Sequence, residues 1–380
     1  MALVKLRVAV LLLLPFAVQA SDYLFFTGSY TKTASKGIYA WRLQTATGRV
    51  RSLGLAADMS NPSFLALHPN GRFVYAASRD LNVVAAFSID EKSGKLALLN
   101  YLASGGAGPC HLAVDATGRW LAVANYDDGA LAILPIQPDG RVGEARNVQR
   151  HEGHGPHPER QKGPHAHQAV FSPDNRYLLL GDLGLDRIFV YRFDAASGTL
   201  SANDPAYVEL AAGAGARHIA FHPNGRAVYA IAELASTVTA FQYDKARGSL
   251  KMLQTISTLP SSFRGTNAAA EIAVNRAGTV LYASNRGHDS IALFSIDPER
   301  FTLTAIDDSP TLGKTPRHFA FDPSGGFLLA ANQESNELAI FRVHANTGQL
   351  TPVARSVVNA FEPACILFLQ SAASAGAARN

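Results

Sequence analysis

The chain has 380 residues, 47% of them hydrophobic and 17% charged, and a formal net charge of +4 at pH 7. That charge is too small to mark a nucleic-acid partner or an anionic membrane surface. A chain this long can bury a large core, so its two cysteines, Cys110 and Cys365, need not be bonded.

Residues 1–20 read as a secretory leader: Lys5 and Arg7, an apolar run from Val8 to Val18, then Val18-Gln19-Ala20 as a cleavage site. The run is short and broken by Pro15, which argues against a membrane anchor. Subtracting the leader's two basic residues from +4 leaves +2 on the exported part. Periplasmic or extracellular residence is expected, with no membrane attachment after cleavage.

Residues 21–370 then repeat one unit. Tyr23–Gly28, Gly37–Trp41 and Gly48–Val50 read as three strands of an incomplete copy. Complete copies follow, each built around a hairpin turn such as His68-Pro69-Asn70-Gly71-Arg72, Ser172-Pro173-Asp174-Asn175-Arg176 or His222-Pro223-Asn224-Gly225-Arg226. Proline fixes φ early in such a turn, and Gly or Asn takes its left-handed position. After each turn come two strands rich in β-formers, such as Val280–Ala283 and Ile291–Phe294, and then a Gly-x-Leu entry into another strand, as at Gly198 and Gly248. Four short strands per unit of roughly 50 residues describe a propeller blade. Six copies are complete, and Pro363–Phe368 supplies the strand missing from the first. The expected fold is therefore all-β, a seven-bladed β-propeller closed by N- and C-terminal strands that share one blade. Residues 371–380, small and polar, read as a disordered tail. A closed ring needs no partner, so a monomer is expected.

In a propeller the first strand of each blade lines the central channel. Aligning the copies on their turns gives one ring of Ser63, Cys110, His167, Arg217, Ala270, Arg317 and Ala364. The next ring holds Phe64, His111, Gln168, His218, Glu271, His318 and Cys365. The polar ends of the following strands add Tyr126, Glu233, Arg286, Asn285 and Asn332. Charge gathers on four successive blades, more than solvating a channel requires. Arginines bind carboxylate or phosphate through forked hydrogen bonds and can stabilise an oxyanion. Beside them a histidine stays neutral at pH 7, so His167 or His218 suits a general base. Glu233 should stay ionised there, and orient an arginine or the water; burial could instead raise it to a base.

Between the third and fourth copies, residues 151–167 carry five histidines among prolines and glycines. They read as a long loop over the channel mouth that covers the site and contacts substrate. His165 and His167, two apart, share a strand face. No acidic or cysteine partner sits at a metal-ligand spacing, so no metal is assigned. Nothing resembles a nucleophile elbow or a phosphate-cradling loop, and no cofactor is called for.

The stretches Gly163–Gln168, Gly181–Arg187, Gly213–Gly225, Ala270–Ile272, Tyr282–Ile291 and Thr315–Ala320 resemble the β-propeller lactonase family. That family includes bacterial propeller-type 6-phosphogluconolactonases and the fungal carboxymuconate-cyclising enzyme, and the similarity spans residues 22–370. The resemblance implies metal-independent opening of a lactone at the channel mouth. The family's cleft histidine, two arginines and glutamate carry onto His167, Arg217, Glu233 and Arg286. His165, His218, Glu271, Asn285, Arg317 and Asn332 are the expected substrate contacts. Ala216 departs from the family's usual proline, and His318 from its common asparagine. The substrate expected is a small, anionic sugar lactone. 6-Phosphogluconolactone is cytoplasmic, so for an exported member an unphosphorylated aldonolactone is the other candidate. A muconate-type cyclase or lyase and a non-catalytic periplasmic binding propeller are the competing readings.

Overall fold

The computed structural model describes residues 22–369, so the leader at 1–20 and the tail at 371–380 lie outside the described residues. Twenty-eight strands form seven four-stranded antiparallel sheets, and the described residues include no helix. The first sheet is made of Pro363–Phe368, Asp22–Ser29, Gly37–Gln44 and Arg49–Asp58, in that order from the centre. Phe26 faces Leu367 and Gly28 faces Cys365 across the closing pair. The ring therefore closes through the blade shared by both ends, as the repeat predicts.

Each blade is held by its neighbour. The second strand of a blade is buried on both faces, as in Phe73–Ser78, Ala227–Ala232 and Phe327–Asn332. Strands buried on both faces lose the apolar-polar alternation, which explains runs such as FVYAAS and AVYAIA. Tyr229 packs with Leu281 and Phe294 of the next blade, and Phe26 with Val74 and Phe87. Tyrosine hydroxyls cross the same seams: Tyr75 donates to Gly140 O (3.1 Å), Tyr229 to Phe301 O (3.2 Å) and Tyr282 to Gly348 O (2.6 Å). Each such bond contributes about 1 kcal/mol, and leaving its buried partner unpaired would cost more. The hairpin turns interlock too. His222 Nε2 meets Gly278 O at 2.9 Å, and a Cβ on Gly278, whose φ is +73°, would lie 2.6 Å from that ring.

Both cysteines are free and buried. Burial pushes each thiol up to about 12, so neither is a thiolate nucleophile at neutral pH.

Candidate active site

Every innermost strand opens with an irregularity that the repeat did not announce. Ala166 pairs with Asp182 and Gln168 with Gly181, so His167 stands outside the ladder. The same slip frees Arg217, Arg317, Ser63 and Cys110. In the strand Ala268–Val274, Ala270 and Glu271 lie between the pairs Ala269–Asn285 and Ile272–Ala283. A bulge bends its strand and re-aims a side chain. Consecutive residues such as Arg217 and His218 can then both serve the channel. The bulges also need room: a Cβ on Gly181 would lie 2.8 Å from Arg217 O.

At the mouth, one carboxylate collects three guanidinium groups. Glu233 Oε2 accepts from Arg217 Nε at 2.9 Å and lies 2.7 Å from Arg286 Nη2. Its Oε1 accepts from Arg160 Nη2 at 2.6 Å. Arg217 is 2% exposed and also donates to Ala270 O (2.6 Å). Arg286 donates to Ala268 O (3.1 Å) and Ala269 O (3.3 Å), with its side chain 14% exposed. Burial works against the charge on Glu233, but Arg286, Arg217 and Arg160 together hold its carboxyl well below the usual range. Burial, with Arg286 nearby, brings Arg217 down to about 10, still a cation at pH 7. Arg317 lies over the Tyr30 ring at 5.3 Å and has no carboxylate partner among the described residues. The mouth therefore keeps positive charge in excess.

His167 sits beside this cluster, edge-on to Tyr126 at 5.6 Å between ring centres. Burial, then Arg217 and His218, push its pKa well below the ordinary histidine value, so it is neutral at pH 7. His165 stacks on Tyr126 at 4.4 Å, and its Nδ1 donates to Tyr126 O at 2.8 Å. Its Nε2 is the ring nitrogen left for a further partner.

A second layer lies deeper. His218 Nδ1 faces Glu271 Oε2 at 3.1 Å, and Glu271 Oε2 is 3.3 Å from His318 Nε2. Phe64, from a non-neighbouring blade, touches this layer, with 6.3 Å to the His218 ring and 5.8 Å to His318. His218 and Glu271, expected to touch substrate, are 3% and 7% exposed and bonded to each other, so the structure moves them beneath the mouth. Asn285 and Asn332 are also bonded away from the mouth. Asn285 donates to Thr258 O (2.8 Å) and accepts from Thr258 Oγ1 (2.7 Å), while Asn332 donates to Thr311 O (2.8 Å). Both are fully buried and tie down inter-blade connections.

The loop at 151–165 brings a residue that the repeat could not register. Arg160 reaches Glu233 and the Tyr126 hydroxyl (3.2 Å). It is held there by its neighbour Gln161, fully buried, which donates to Leu183 O (2.8 Å) and Asp186 Oδ1 (2.7 Å). The loop's histidines are spread out rather than gathered. His151 stacks on Phe189 at 3.8 Å, His157 Nδ1 accepts from Arg160 N, and His154 is exposed. The loop crosses Gly184 so closely that a Cβ there would lie 1.9 Å from Gly163 O. Gly184→Ala should therefore lift the loop and release Arg160. The expected result is a KM raised about tenfold with a smaller change in kcat, read by steady-state kinetics. An unchanged KM would mean that the loop does not shape the site.

Away from the mouth, Met59, Leu81, Val83, Phe87, Leu98 and Tyr101 line an apolar groove of about 600 Å³ at the junction of two blades. Asp58 is the one charged residue lining it, so it holds no cation to stabilise an oxyanion.

The family model described as "Lactonase, 7-bladed beta-propeller" matches residues 24–368. The 6-phosphogluconolactonase of Bacillus subtilis is 36% identical over 351 residues, covering 92% of this chain and 99% of that protein. The 6-phosphogluconolactonase of Pectobacterium carotovorum is 35% identical, covering 85% and 93%. The solved structure of the periplasmic gluconolactonase of Pseudomonas aeruginosa superposes with a TM-score of 0.87 at 33% identity, covering 92% of this chain and 99% of that one. With its blades, its closure and nearly its whole length in common with these proteins, the chain belongs to the seven-bladed β-propeller lactonase family.

Proposed function

We propose that the protein hydrolyses a sugar lactone by attack of an activated water at the channel mouth. One observation carries this reading: a neutral His167 lies in the field of Arg217, Arg317 and Arg286, where the one Glu233 carboxylate is outnumbered by Arg160, Arg217 and Arg286 and Arg317 has no carboxylate partner among the described residues. Water adds to the lactone carbonyl carbon and gives its proton to His167. The carbonyl electrons move onto oxygen, where Arg217 and Arg286 stabilise the oxyanion. The tetrahedral intermediate collapses with cleavage of the ester C–O bond. The ring oxygen leaves with the proton returned by His167, giving the open-chain hydroxy acid. Glu233 has both of its oxygens engaged by guanidinium groups, which leaves it no free lone pair aimed at a water. Its role is to fix the arginines.

Arg317 and His165 are the substrate contacts in this scheme, the first for an anionic or electron-rich group and the second for a hydroxyl. The leader read at residues 1–20 and the periplasmic relative together support export and an aldonolactone that need not be phosphorylated. A monomer is proposed. Among the described residues, no helix is long and apolar enough to cross a membrane.

Turnover in ¹⁸O-labelled water tests the chemistry. Attack at the carbonyl places one label in the product carboxylate. Label in the hydroxyl, or none, would contradict the scheme.

A further inference from the structure

Among the described residues, Nδ1 of His167 and Nε2 of His218, in neighbouring rings, are buried without a hydrogen-bond partner, as is Nδ1 of His111. A buried unpaired polar atom costs about 1–3 kcal/mol, and two side by side call for an explanation. The ring centres of His167 and His218 are 5.1 Å apart. At that separation a ring rotation brings nitrogen to nitrogen within the usual reach of about 2.9 Å.

The rest of the layer fixes which atom carries which proton. Ile366 N–H donates to His318 Nδ1 at 3.3 Å, so His318 bears its proton on Nε2, towards Glu271. Ile272 N–H donates to Glu271 Oε1 at 3.0 Å. The carboxylate thus holds its place and accepts from His218 Nδ1. That leaves His218 Nε2 as a lone pair, able to accept the Nδ1 proton of His167. His167 Nε2 is then the free lone pair.

Resting on the lactonase reading, we propose that His218 and Glu271 form a proton relay behind His167, and so are positioning residues for the hydrolysis. As water gives its proton to His167 Nε2, the Nδ1 proton of His167 moves to His218 Nε2. The Nδ1 proton of His218 moves to Glu271 in turn. The reverse shifts return the proton to the departing ring oxygen, so no proton is gained or lost. The relay answers an electrostatic difficulty. Arg217, Arg286 and Arg317 all oppose a charged His167, and passing the proton inward sets it on a carboxylate instead. His111, 5.4 Å from His218, with its ring against Phe64 at 4.0 Å and its own Nδ1 unpaired among the described residues, is the competing partner, and its variant is the control.

The test uses the purified full chain and two readouts. Nitrogen-detected NMR of the imidazoles should find His167 and His218 both protonated on Nδ1. In His218→Phe, His167 should lose that preference. The pH profile of kcat/KM is the second readout. Activity falls as His167 gains its proton, so a weaker relay lowers its pKa and moves the acidic limb to lower pH. Both Glu271→Gln and His218→Phe should do this, lowering kcat about 10- to 100-fold, and the double variant should lose little more than either. Glu271→Gln preserves volume and serves if His218→Phe fails to fold. His111→Phe should leave the limb in place. His167 protonated on Nε2 in the wild type, or an unmoved limb in active variants, overturns the relay. Nδ1 protonation of both rings, lost at His167 in the variant, in a protein that opens no lactone, would uphold the proton network and overturn the lactonase reading alone.

Discussion

Replacing Glu233 with glutamine is expected to cost the fold about 3–5 kcal/mol, because it strands charged groups inside the channel. Arg217 is 2% exposed and loses its one carboxylate partner among the described residues, while Arg160 and Arg286 lose theirs as well. The amide keeps the shape and one acceptor, so the loss comes from charge. The pH dependence gives a second check. The carboxyl is held below its unfolded value of about 4.3, so its stabilisation is complete above that pH. It fades as the pH falls further, towards the lower folded value. Denaturant unfolding should therefore show a constant gap between wild type and Glu233→Gln from pH 7 to pH 5. The gap should narrow from about pH 4 downwards. A gap that is absent at pH 7 would mean that the three arginines find other counterions.

Arg286→Ala should separate activity from stability. The side chain is the more open of the two arginines on Glu233 Oε2. Without it Glu233 still holds Arg160 and Arg217, so no charge is stranded. The carbonyls of Ala268 and Ala269 lose a donor, and the partly exposed side chain leaves a space open to the channel mouth that water can enter. Unfolding free energy should fall by no more than about 1 kcal/mol. Turnover should fall about 10²–10³-fold or more, the loss seen when a preorganised oxyanion donor is removed. A large drop in melting temperature alongside the loss of activity would make Arg286 a structural residue.

The repeat was legible because turns punctuate it. Sequences such as His222–Arg226 and Asn275–Gly278 fix hairpins by local backbone preference alone, and all seven sheets follow from them. Closure by Pro363–Phe368 was legible for the same reason: the strand matches Pro316–Phe321 and had no other blade to complete. Aligning the turns also placed His167, Arg217 and Arg317 at the channel. The bulges were not legible, since one extra residue in a strand leaves no mark in composition. They explain how residues adjacent in sequence, such as Arg217 and His218 or Ala270 and Glu271, can both serve the channel. Arg160 escaped because its loop belongs to no repeat, and because its position depends on Gln161 contacts made after folding. The partners of Asn285 and Asn332 were not legible either, for a general reason. A polar residue ending a buried strand can face substrate or satisfy a neighbouring connection, and only the structure shows which.

The most direct test of the account follows acid release by the purified protein, without residues 1–20, from δ-gluconolactone and from 6-phosphogluconolactone. Each is read against its spontaneous hydrolysis and against the Arg286→Ala variant. The account predicts a rate enhancement on at least one of these lactones that the folded variant loses. No enhancement on either, or one that survives in Arg286→Ala, would contradict it.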